Sequence, residues 1–201
     1  MKIIFFGDSI TEGERNPDNP NDLGNGYVKF AEGKLRLLYP ETRMQFLNRG
    51  VSGSRIADLN ARLKQDVLDE TPDVVVLQAG INDVLSKFKG EEVSEEAFRN
   101  EYTALLSALT QAGIKVLVLQ PFALPIGDKT RLRPRLNTFN KIIREVAKAH
   151  SVSVIPMDEI FMGATQDIKP TQFSTDGIHP THRGHRYHAD FVIKELKKQI
   201  V

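Results

Sequence analysis

The chain has 201 residues, 40% of them apolar, enough for one domain with a full-sized hydrophobic core. It contains no cysteine, which excludes a disulfide framework, a thiolate nucleophile and every cysteine-bearing zinc pattern, so any nucleophile is oxygen or nitrogen. With 27 basic and 26 acidic residues the net charge is +1, and nothing in that balance draws the protein to nucleic acid, a membrane surface or polyanions.

Met1-Lys2 runs straight into Ile3-Ile4-Phe5-Phe6 and then Gly7-Asp8, too short an apolar stretch for a signal-peptide core. Apolar runs such as Val74 to Leu77 fall far short of the about 20 residues that a membrane span needs. The expectation is a soluble, cytoplasmic protein consisting of one domain, residues 1–201.

In chain order the first predicted strand is Lys2–Phe6, followed by a long loop, Glu12–Gly26, crowded with Pro17, Pro20, Gly24 and Gly26. Tyr27–Leu38 has helical spacing, Met44–Leu47 reads as a strand, and Ile56–Leu68 as a helix through Ile56, Leu59, Leu63 and Val67. Strand Asp73–Ala79, helix Phe98–Leu109 and strand Lys115–Leu119 come next. A second long loop, Pro121–Pro134, leads to helix Leu136–Ala147 and strand Val152–Ile155. A last helix follows His179, with Phe191, Val192 and Leu196 as its inward face. Strand and helix alternate throughout, which predicts a parallel five-stranded sheet with helices on both faces, a three-layer α/β/α domain built from right-handed crossovers.

In an open parallel sheet ligands bind beyond the carboxyl ends of the strands. The residues there are unusual: Gly7-Asp8-Ser9-Ile10-Thr11 after the first strand, Asn48 to Gly53 after the second, Gly80-Ile81-Asn82-Asp83 after the third, and Asp176-Gly177-Ile178-His179-Pro180 beyond the fifth. Serine becomes a nucleophile when an imidazole takes its proton and a carboxylate orients that imidazole. Ser9, His179 and Asp176 can fill those roles, and Pro180 suits the first position of the following helix. Acyl transfer also needs donors for the oxyanion, and the Ser9 N–H, the Gly53 N–H and the Asn82 amide would supply three.

These four blocks resemble those of the SGNH hydrolases of the GDSL esterase superfamily, in the family's order along the whole chain, with Ile10 in place of the leucine that gives the family its name. The resemblance implies a flavodoxin-like fold, hydrolysis of esters or thioesters through an acyl-enzyme, and neither metal nor cofactor. Asn25-Gly26-Tyr27, Asn48 to Gly53 and Gly80 to Val84 are further similar to short bacterial carbohydrate acetylesterases of the acetylxylan type. The expected reaction is removal of short acyl groups, O-acetyl on a carbohydrate above all. The expected partner is a small-molecule or oligosaccharide ester, without nucleic acid or membrane. A homo-oligomer is left open.

Other readings of the same residues exist. Ser9 and Asp176 could be helix caps, and Asn82 a turn residue. Asp176, His179, His182, His185 and His188 recur every three residues, but steps of three rotate a helical side chain by roughly 60° each, so only neighbours could share a metal. His182, His185 and His188 are read as surface or supporting residues, with His185 the best placed to pack near the site. No phosphate-loop signature is complete, and no Gly-x-Ser-x-Gly elbow occurs. Lys129, Arg131, Arg133 and Arg135 read as a solvated basic face, with contact to acidic groups on a decorated sugar as the alternative. A lysophospholipase or acyl-thioesterase of the same family, a non-catalytic carbohydrate-binding module and a metal-dependent hydrolase are the competing functions.

Overall fold

The computed structural model describes residues 1–200. Five strands, β1 (Lys2–Gly7), β2 (Gln45–Gly50), β3 (Val74–Gln78), β4 (Lys115–Leu119) and β5 (Ser153–Ile155), form one parallel sheet in the order β2-β1-β3-β4-β5. The β1 run Ile3–Phe6 is completely buried, as a central parallel strand covered on both faces must be. Helices α1 (Ser9–Glu12), α2 (Tyr27–Leu38), α3 (Ile56–Leu63), α4 (Ile81–Ser86), α5 (Glu95–Gln111), α6 (Arg133–Ala149), α7 (Met157–Ala164) and α8 (His182–Ile200) alternate with the strands. The chain moves from β1 outward to β2, then back across to β3, β4 and β5. Right-handed crossovers therefore place α2 on one face and α3, α5 and α6 on the other; α2 packs against α8, and α5 against both α3 and α6. Among the described residues no helix is long and apolar enough to cross a membrane.

Several expectations are corrected. Strand β2 continues through Asn48, Arg49 and Gly50, because Gly50 pairs with Gly7 of β1. The predicted helix Ile56–Leu68 ends at Leu63 and continues as a π-helical turn, Lys64–Leu68. Two short helices escaped the sequence reading: α4, inside the asparagine block, and α7, whose inward residues Met157 and Phe161 are one turn apart. The Pro121–Pro134 loop contains a 3-10 turn, Gly127–Leu132, and Pro134 lies in the first turn of α6. In α8 the buried residues are Gly184, His188, Ala189, Val192, Ile193 and Leu196, whereas Phe191 is only partly buried. It lies at the edge of this face, against Tyr187.

The two basic-cluster arginines in the first turn of α6 are structural clamps. Arg133 holds Asp158 and the Ala123 carbonyl. Arg135, 13% exposed, donates to the carbonyls of Val84, Asp83 and Val93 and to the Glu92 carboxylate. Lys129 and Arg131 pair with Asp128, and Arg131 also lies over Phe88. The expected basic face is thus divided: Arg133 and Arg135 clamp distant segments, whereas Lys129 and Arg131 stay in a local pair with exposed Asp128.

The Glu12–Gly26 loop is held from beneath by a fully buried amide. Asn48 Nδ2 donates to the carbonyls of Thr11 (2.8 Å), Glu12 (3.1 Å) and Leu23 (2.9 Å), and its Oδ1 accepts from Gly50 N (2.9 Å). Removing one buried partner leaves the others desolvated, at about 1–3 kcal/mol each. Asn48→Ala is expected to lower stability by ~2–4 kcal/mol in denaturant titration; a loss below ~0.5 kcal/mol would show that the loop does not depend on it.

Candidate active site

The parallel register brings Gly7, Gly50 and Gln78 to one edge of the sheet, and the β1/β3 gap is the point where the chain reverses its direction across the sheet. Ser9 stands just beyond β1 at this edge. Asp8, fully buried, is the cap of the short helix α1: its Oδ1 accepts from Ile10 N at 3.0 Å. The capping role is therefore taken by Asp8, and the Ser9 hydroxyl lies 3.0 Å from His179 Nε2. Across the ring, His179 Nδ1 is 2.7 Å from Asp176 Oδ2. A carboxylate accepts only, so the proton sits on Nδ1 and Nε2 is left to accept from Ser9 Oγ.

The Asp176–His179 segment is a tightly bonded turn. Asp176 Oδ1 accepts from the backbone N–H groups of Ile178 (2.9 Å) and His179 (2.8 Å). Burial acts to raise the Asp176 pKa, but the His179 ring and these two N–H groups outweigh it and bring it down to about 2. Asp176 is therefore a carboxylate throughout the neutral range. It is not the cap of α8; Thr181 Oγ1 accepts from Gly184 N there (3.1 Å), and Pro180 lies before the helix in a bridge with Ser174. Ser174, absent from the sequence reading, is fully buried and donates to the His179 carbonyl (2.7 Å) while accepting from Gly177 N (2.8 Å). Its position two residues before Asp176 was the available signal, since Ser and Asp side chains so spaced build turns together.

The other candidate donors lie on neighbouring blocks. Gly53 is exposed at φ +79°, a left-handed conformation that favours glycine, with open space where a side chain would stand. Asn82, in the first turn of α4, uses one amide hydrogen on the Ser54 carbonyl (3.1 Å), and an amide has two. That bond ties the asparagine block to the glycine block. The adjacent Asp83 carboxylate, buried, faces Ile56 N at 3.3 Å. Desolvation pushes both Asp83 and Asp8 up to about 7.

A cleft of about 500 Å³ opens beside Ser9 and His179, between the Glu12–Gly26 loop and the segment from His179 to His185. Of the three histidines whose roles were open, His182 and His185 line it. His182 lies edge-on to Phe30, and His185 Nδ1 accepts from Tyr27 N at 3.2 Å. His188, expected at the surface or in support of the site, is instead fully buried and stacked on Tyr27 at 4.3 Å. The α8 register places it on the inward face with Val192 and Leu196.

Residues 5–187 match the model of the GDSL-like lipase/acylhydrolase family. The chain belongs to this family. The acetylxylan esterase of Geobacillus stearothermophilus is 28% identical over 97% of this chain and 93% of that protein. An arylesterase of Vibrio mimicus is 24% identical over 99% of this chain and 90% of its own length. The crystal structure of the Geobacillus acetylxylan esterase Axe2 superposes with a TM-score of 0.90, at 25% identity, covering 97% of this chain and 93% of the other. This GDSL-family chain is thus a carboxylic ester hydrolase, an esterase or acylhydrolase.

Burial lowers the His185 pKa to about 4, against about 6.5 in an unfolded chain. Between these values the unfolded chain binds the extra proton, so this residue's contribution to stability falls as pH drops from 6.5 toward 4. The stability advantage of wild type over His185→Gln is expected to shrink across that interval in urea titrations at stepped pH; a constant difference would refute the assignment.

Proposed function

We propose that the protein is a serine esterase that removes short acyl groups, O-acetyl groups on a carbohydrate above all, through Ser9, His179 and Asp176. The observation that carries this reading is the continuous chain of hydrogen bonds from Ser9 Oγ through the His179 ring to Asp176. In the mechanism, Ser9 Oγ attacks the ester carbonyl as His179 Nε2 takes its proton. The oxyanion is held by the Ser9 and Gly53 N–H groups and the Asn82 amide. The tetrahedral intermediate collapses with cleavage of the carbonyl–alkoxy bond, and the alcohol departs with the proton from His179. Water, deprotonated by His179, then attacks the acyl-enzyme and releases the acid, restoring Ser9.

Two further observations support the reading. The catalytic mutants described for the Geobacillus acetylxylan esterase replace a serine, an aspartate and a histidine, the same three residue types. Carboxylate, amide, hydroxyl and imidazole groups line the cleft beside Ser9, with Ile10 and Pro180 as its sizeable apolar side chains among the described residues, so a polar carrier would find several hydrogen-bonding partners there.

Ser9→Ala is expected to abolish turnover of phenyl acetate while the folded far-UV and near-UV spectra are kept; wild-type turnover would sink the proposal. Asn82→Ala should reduce kcat by roughly 10²–10³, the usual loss for one oxyanion donor; an effect near unity would remove Asn82 from that role. Acetyl esters should be cleaved faster than butyryl and long-chain esters of the same alcohol. A preference for long-chain acyl thioesters or lysophospholipids would favour the competing family activity.

A further inference from the structure

We infer that the alcohol side of the cleft selects neutral or cationic carriers and turns away anionic ones, with Glu14 and Glu12 as the residues that set the preference. This rests on the esterase reading above, because that reaction fixes where the carrier must lie. The departing alcohol takes its proton from His179 Nε2, so it occupies the His179 side of the nucleophile. The cleft is on that side: His179 and His182 line it, whereas Gly53 and Asn82 do not.

The charge on its walls has one sign. Glu12 and Glu14 are the charged side chains lining it among the described residues, with no lysine or arginine in that lining. Arg15, next along the chain, lies close enough to Glu12 for the two charges to interact, but it is outside the cleft lining and its Nε donates to Gly50 O at 3.0 Å. His185 brings no balancing charge at neutral pH, since burial lowers its pKa to about 4 and its Nδ1 already accepts from Tyr27 N. The basic cluster that could have welcomed an acidic sugar is committed elsewhere, Arg133 to Asp158 and Arg135 to Glu92 and three carbonyls.

The loop that carries this wall is tied down along its backbone. Asn48 pins the carbonyls at both ends of the loop, and Asn25 N donates to Gly13 O at 2.6 Å. Glu12 accepts one hydrogen bond from Ser52 Oγ (2.7 Å), and Glu14 accepts one from Asn25 Nδ2 (3.3 Å). A carboxylate has about four acceptor positions, so each retains capacity for a carrier hydroxyl or ammonium. A carboxylate or phosphate on the carrier would meet two like charges on the cleft wall, of which Glu12 is partly offset by Arg15 and Glu14 is not.

The test is a series of acetate esters that differ in leaving-group charge: 4-carboxyphenyl acetate, phenyl acetate and 4-(trimethylammonio)phenyl acetate. For wild type, Glu14→Gln and the Glu12→Gln/Glu14→Gln double variant, kcat/KM for each ester is divided by its hydroxide-catalysed rate, which removes intrinsic leaving-group reactivity. Wild type is expected to favour the cationic over the anionic ester by roughly tenfold or more at low salt. Each Glu→Gln change should cut that ratio by roughly three- to fivefold, since one unit charge about 10 Å away in water moves the cationic and anionic esters in opposite directions by about twofold each. Raising ionic strength should shrink the wild-type ratio without any mutation. A wild-type ratio near one, or a ratio unchanged in the double variant, overturns the inference. If phenyl acetate is cleaved and the charge series is flat, only the inference fails; if none of the three is cleaved, the esterase reading fails and takes the inference with it.

Discussion

The turn Asp8–Glu12 lies directly on the carboxyl ends of three neighbouring strands, and glycine at two strand ends is what allows it to. A Cβ on Gly7 would meet Gln78 O at 2.2 Å and Thr11 Oγ1 at 2.5 Å, and one on Gly50 would meet Glu12 N at 2.1 Å. No side chain fits in either place. The close approach holds Ser9 against the sheet edge and brings the Glu12–Gly26 loop within reach of the Asn48 amide. The Arg62 guanidinium reinforces the same junction, donating to the carbonyls of Gly7 (2.9 Å) and Arg49 (2.8 Å) while lying over the Phe6 ring. The position of Ser9 follows from packing of main chain on main chain.

Around that fixed turn the ionisable groups are sorted by environment. Asp176 is bonded by three N–H groups and is held as a carboxylate, whereas Asp8 and Asp83, buried beneath the site, are pushed up to about 7 by desolvation. Carboxyl groups of one chemical type are thus pushed in opposite directions within a short stretch of structure, and Asp176 is the one of the three that faces the His179 ring. The cleft then adds Glu12 and Glu14 at the surface, where they act on what approaches. The buried and the exposed acids serve separate purposes.

Much of this was legible in the residues. The five β-branched or aromatic runs are the five strands, because a parallel strand covered on both faces reads as a continuous apolar run. Tyr27–Leu38 has the same limits in sequence and structure. Ser9, Asp176 and His179 could be grouped because strand ends in a parallel sheet share an edge. Less legible were α4 and α7, which are too short to show a helical period. The burial of His188 is not legible in sequence, because a three-residue step along α8 does not say which side faces the core. The arginines at 133 and 135 looked like a solvated charge run because their acceptors, such as Asp158 and Glu92, are distant in sequence.

The order of the motif blocks and the alternation of strand and helix determined, by themselves, the fold class and the residues that could perform acyl transfer, since both depend on local pattern and on the general rule for parallel sheets. The tertiary structure alone decided how those residues relate. It gave the cap of α1 to Asp8 and so left the Ser9 hydroxyl to His179; it turned Asp176 toward the ring rather than toward α8; it tied Arg133 and Arg135 to partners distant in the chain and put two glutamates on the cleft. Each of these depends on distances between residues far apart in the chain, and Ser9 and His179, separated by 170 positions, meet only when the sheet has formed.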